Sequence, residues 1–144
     1  MVDDVYNLQR FVTAQAPVYA GVCEELRRGQ KASHWMWFIF PQIAGLGSSA
    51  MARKYAISDL DEARAYLAHP VLGPRLIECT RLVGVSGRSV EDIFGAPDDM
   101  KFRSSMTLFA KAQGEGVFSE AIEKFCGGSF DEATLAKLCL SPSS

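Results

Sequence analysis

Ser33-His34-Trp35-Met36-Trp37-Phe38-Ile39-Phe40-Pro41 is the stretch on which the reading of this chain turns, and it holds both tryptophans. Ser33 is placed to cap a helix and Pro41 to stop one. Read helically, the segment is apolar on every side, which belongs at the centre of a fold, surrounded by other elements. Read as a strand, it has nothing to pair with. The chain shows little period-2 alternation, no Asn-Gly or Asp-Gly hairpin signal and no internal repeat. Trp37, Phe38 and Phe40 are therefore expected in the core. Trp35 and His34 need polar partners for their ring N–H groups once buried.

Outward from this stretch the punctuation is helical. Pro17 can open a helix carrying Val18, Val22, Cys23 and Leu26, which Gly29 ends. Ser58 with Asp59, Asp61 and Glu62 marks the next start, and Leu60, Ala63, Tyr66 and Leu67 form its stripe up to His69-Pro70. Pro74 opens a helix with Leu76, Cys79, Leu82 and Val83 on one face. Ser89 caps a short one, and Pro97-Asp98-Asp99 starts another that runs to Gly114. Val117, Ala121, Ile122 and Phe125 recur helically before Gly127-Gly128, and Asp131 caps a last helix. The expected fold is all-α: a compact, irregular multihelical single domain of about eight short helices around a central aromatic helix. It covers residues 1–140, with 141–144 as a flexible tail.

Composition narrows the function classes. The chain has 144 residues, 48% hydrophobic and 22% charged, with net charge -2, which describes one globular domain and excludes disordered or collagen-like chains. Met1-Val-Asp-Asp-Val-Tyr6 lacks a basic, apolar leader, so a cytoplasmic setting without membrane contact is expected. Cys23, Cys79, Cys126 and Cys139 lie far apart, which suits reduced thiols rather than a zinc site. No metal or cofactor is expected. Zinc-protease, nucleophile-elbow, dinucleotide and P-loop motifs are all absent.

The average charge conceals a local imbalance. Residues 26–58 contain no Asp or Glu, but Arg27, Arg28, Lys31, Arg53 and Lys54 are all positive. Inside this stretch, Pro41-Gln42-Ile43-Ala44-Gly45-Leu46-Gly47-Ser48-Ser49 is a glycine-bearing loop that leads into a helix. Such a loop can offer N–H groups and hydroxyls to an anion, although simple capping by Ser48 or Ser49 is the plainer explanation. A second polar constellation, Lys101-Phe102-Arg103-Ser104-Ser105 with Thr107, falls on one helix. Either a ligand or a tight helix seam accounts for it. The candidate ligand-binding residues are thus Lys31, His34, Trp35, Gln42, Gly47, Ser48, Ser49, Lys101, Arg103, Ser104 and Ser105, with no catalytic assignment.

Leu8-Gln9-Arg10-Phe11-Val12, the His34-Trp35-Met36-Trp37-Phe38 block, Gly45-Leu46-Gly47, His69-Pro70 and Lys101 with Ser104-Ser105-Met106-Thr107-Leu108-Phe109 resemble the bacterial family known as domain of unknown function 1810. The resemblance spans about residues 5 to 139. It implies a multihelical fold like that of a mycobacterial hypothetical protein in the family, and it carries no catalytic residues. Polar residues within its blocks point either to a buried hydrogen-bond network or to a ligand pocket. Two functions follow as expectations. One is a pocket for a small phosphorylated or nucleotide-like molecule near the His-Trp-Met-Trp segment, with nucleic acid disfavoured as partner. The other is a non-enzymatic interaction or scaffold domain whose polar residues are structural.

Overall fold

In the computed structural model, residues 4–139 are described, and they form ten helices and no strands. The expected tail at 141–144 lies outside the described residues. The helices are α1 (Gln9–Gln15), α2 (Tyr19–Arg28), α3 (Met36–Ile39), α4 (Ala50–Lys54), α5 (Leu60–Ala68), α6 (Leu72–Val85), α7 (Val90–Phe94), α8 (Asp98–Gln113), α9 (Val117–Cys126) and α10 (Glu132–Lys137). The protein is all-α, as its punctuation predicts. α1 is the helix that punctuation leaves out. It has no side-chain cap of its own, and its start is held instead by Asp4, which accepts from the N–H groups of Leu8 (2.6 Å) and Gln9 (2.9 Å).

Three starts differ from those expected: Pro17 lies in a turn, and α2 begins at Tyr19 with Val18 at its N-cap. Asp59, not Ser58, caps α5 by accepting from the Glu62 N–H. α6 begins at Leu72, so Pro74 sits inside its first turn, where no N–H is required. His69 Nδ1 accepts from the N–H groups of Val71 and Leu72 and caps that turn.

α8 is the axis of the packing. It contacts α5, α7, α9 and α10, and everything from Ser104 to Ala110 on it is buried. The aromatic stretch is buried too, at Trp35, Met36, Phe38, Ile39 and Phe40, but its helical part is the single turn α3. Phe40 meets Phe102 of α8 edge-on at 5.1 Å, and Phe94 of α7 stacks on Phe102 at the same distance. Edge-to-face pairs of this kind add about 1 kcal/mol each beyond the area they bury.

Two buried carboxylates hold the loops around this core. Glu25 of α2 accepts from the Ala32 N–H (2.6 Å), the Ser33 N–H (3.0 Å), the Ser33 hydroxyl (2.6 Å) and the Trp35 indole N–H (3.0 Å). Glu62 accepts from Ser58 and pairs with Arg10 at 3.0 Å. The Arg10 guanidinium spends all five N–H donors: on Tyr6 and Asn7 carbonyls, on Lys54 and Ala56 carbonyls, and on Glu62.

Burial pushes the Glu25 carboxyl upward, but the Ser33 hydroxyl, the Ala32 N–H, the Trp35 indole and the Ser33 N–H together hold it below its ordinary value of 4.5. A carboxyl whose folded titration is depressed contributes fully above its unfolded value and loses that contribution as pH falls through the folded one. Glu25→Gln is expected to lower stability by about 2 kcal/mol at pH 7, by weakening charge-assisted bonds. Urea denaturation of both proteins from pH 7 to pH 3 checks this, because the gap must narrow below pH 4.5.

Candidate functional site

The glycine-bearing loop folds into one wall of a cleft. Ile57 donates to the Gln42 carbonyl (2.9 Å) and Ala44 to the Ile57 carbonyl (2.8 Å), an isolated parallel bridge that pins the loop's base beside α4. Gly45 has φ +96, a conformation that favours glycine, and a Cβ there would meet Nζ of Lys137 at 3.0 Å. A Cβ on Gly47 would come within 2.7 Å of the Ala52 Cβ, so the loop also touches α4. Ser49 caps that five-residue helix by accepting from the Ala52 N–H (3.1 Å).

The resulting cleft has a volume of about 120 Å³ and is lined by Trp37, Tyr55, Gln42, Arg53, Ile43, Gly45 and Gly47 with Ala44, Ala52 and Ala56. Trp37 is thus half-buried rather than a core residue. α3 has only one turn, so the side opposite Met36 and Phe38 is left facing the cleft. The Lys101 ammonium stands 5.5 Å from the Trp37 ring centroid. Arg53 is exposed, and among the described residues it makes no ion pair.

The remaining candidates sort by what they touch. Lys31 pairs with Asp98 at 2.9 Å, lies 5.2 Å from the Trp35 ring and is nearly buried; Asp98 also pairs with Lys101 at 3.4 Å. One carboxylate of α8 thereby places two lysines against two indoles. Trp35 is buried with its N–H committed to Glu25, and His34 next to it is exposed to solvent. Arg103 donates to the carbonyls of Ser129 (3.1 Å) and Phe130 (3.0 Å). Ser104 donates to Asp131 (3.1 Å), and Thr107 accepts from the Asp131 N–H (2.9 Å). These three residues stitch α8 to the start of α10, where Asp131 caps the helix. Ser105 is fully buried, and its hydroxyl has no partner.

The structure therefore brings Gln42 and Gly47 into the cleft with Trp37 and sets Lys101 beside that ring outside the lining; Ser49 is spent on capping α4, Ser48 is exposed away from the lining, and Arg103 and Ser104 go to a helix seam. Sequence reasoning missed Lys137, which α10 carries to Gly45 from almost a hundred positions away. Asp59 and Asp61 line another depression together with Lys137. Among the described residues no group of three or more His, Cys, Asp or Glu could hold a metal ion, and no helix is long and apolar enough to cross a membrane.

The family described as "Protein of unknown function (DUF1810)" matches residues 5–138. Among solved structures, the chain is similar to the conserved hypothetical protein Rv1873 from Mycobacterium tuberculosis, at 57% identity and a TM-score of 0.92, over 96% of this chain and 100% of that one. No curated protein matches it.

The two tryptophans are expected to report separately on this geometry. Trp37→Phe should leave a blue-shifted emission that iodide barely quenches, from the sealed Trp35. The protein that keeps only Trp37 should be quenched readily. Equal quenching of the two would contradict the half-buried Trp37. In the seam, Asp131→Ala removes both the α10 cap and the Ser104 partner, and should cost about 1–2 kcal/mol in urea denaturation without moving either emission maximum.

Proposed function

The chain belongs to the DUF1810 family of proteins of unknown function, and for this member we propose binding of a small anionic ligand at the cleft beside Trp37. The observation that carries the reading is the company that half-buried indole keeps: Gln42, Arg53 and the glycine-bearing loop line the cleft with it, and Lys101 stands over its ring. An aromatic wall, an amide and one cation, Arg53, on a small concave surface, with Lys101 beside the indole, are the features of a polar small-molecule site, in which a few placed groups orient the ligand. Charge supports the sign of that ligand, because the 26–58 stretch that supplies most of the cleft contains no acid. Asp98 holds Lys101 but does not line the cleft. Two free, buried thiols, Cys23 and Cys79, support a reducing, cytoplasmic setting for this binding.

A second reading, an interaction domain, draws on a different face. Val85 is 80% exposed at the end of α6, between two depressions lined by Ile77 and Leu82 on one side and by Val117, Ala121 and Phe125 on the other. Exposed apolar side chains grouped in this way favour a contact surface over bare solvent.

A thermal-shift panel of nucleotides, sugar phosphates and dicarboxylates separates the two. At a hundredfold excess over Kd, a ligand should raise Tm by roughly 5–10 °C for a domain of this size. Arg53→Ala should abolish the shift and Lys101→Ala should reduce it. A panel without any shift, or one that Arg53→Ala leaves intact, sinks the anion site and leaves the α6 face as the working surface.

A further inference from the structure

We infer that the cleft takes a pyrimidine nucleoside monophosphate, with the single ring against Trp37, its polar edge read by Gln42 and its phosphate on Arg53; this rests on the anion-binding reading and adds the identity of the ring. Size comes first. An enclosed apolar cavity of about 150 Å³ admits one benzene ring. The cleft measures about 120 Å³ and opens to solvent on one side. One six-membered ring fits it, and the second ring of a purine would lie outside, toward solvent.

The walls come second. Trp37 and Tyr55 give aromatic surface, and Ala44, Ala52 and Ala56 line the cleft beside the polar Gln42 and Arg53, which suits a flat ligand ring with a polar edge. Tyr55 is fixed by Phe11 and Phe38, with ring centroids at 5.7 and 5.4 Å, so that wall is already in place.

The edge comes third. The Gln42 backbone is fixed by the Ile57 N–H at 2.9 Å, but its side-chain amide has no protein partner among the described residues. A carboxamide presents one acceptor and one donor side by side, and a pyrimidine presents the complementary pair on its Watson–Crick edge. Either uracil or cytosine satisfies it, because the amide turns over at no cost in shape. The anion comes last: Arg53 lines the same cleft, so a phosphate on the sugar meets a cation as it leaves the ring pocket.

Isothermal titration at low salt with UMP, CMP, AMP, uridine and ribose 5-phosphate tests this. UMP and CMP should bind, with AMP, uridine and ribose 5-phosphate each weaker by about tenfold or more. Gln42→Leu should cost UMP about tenfold and leave ribose 5-phosphate unchanged, with its melting curve recorded as the control for folding. AMP binding as tightly as UMP, or ribose 5-phosphate matching UMP, overturns the pyrimidine assignment and leaves anion binding intact. Gln42→Leu binding UMP as the unmodified protein does overturns the edge readout. If none of the five binds and the wider panel gives no shift, both readings fall together.

Discussion

A carboxylate taken out of water must gather donors from whatever chain lies within reach, or it will not stay charged. Glu25 gathers four of them, all from Ala32, Ser33 and Trp35. That constraint decides the turn between α2 and the aromatic stretch. It fixes where the Trp35 indole points, and so which faces of the following turn go inward. Phe40 then meets Phe94 and Phe102, and Trp37 is left over. The placement of the cleft follows from this: an indole facing half outward at Trp37 is the counterpart of one sealed inward two residues before.

The arginines and lysines divide along the same lines. Arg10 and Arg103 end on backbone carbonyls, which turns a long cationic side chain into a fastening for loops that carry no ladder of their own. Lys31 and Lys101 share one carboxylate, a pairing that keeps both near the indoles and leaves the trio with one net positive charge. Arg53, on a five-residue helix beside a glycine loop, is outside these arrangements. Structural cations and available ones thus coexist in one small domain, told apart by what each side chain touches.

Much of the helical layout could be read directly. Pro97-Asp98-Asp99 and Gly114 bracket α8 closely, and Ser89, Asp131 and Gly127 mark their termini because each does so by local chemistry. The buried carboxylates were harder. Glu25 sits inside Glu24-Glu25-Leu26-Arg27-Arg28, a run that looks solvated, yet it stands three after Val22 and one before Leu26, on the apolar stripe itself. That register was the available signal. The polar group of α8 looked equally ligand-like throughout, and only packing separates Lys101, facing Trp37, from Arg103 and Ser104, facing α10. Lys137 carried no local signal at all, because its place beside Gly45 is made by tertiary structure alone.

The five-fold engagement of Arg10 also bears on how the chain comes together as it is made. Its partners at Lys54, Ala56 and Glu62 lie 44, 46 and 52 positions downstream. A ribosome adding about 5–20 residues per second delivers them seconds after α1 has emerged. Until then only Asp4 holds the start of α1, and the Arg10 guanidinium lacks three of its five acceptors. The N-terminal segment therefore waits on α5, and this helical domain, rich in local contacts as it is, closes at its beginning only after its middle has arrived.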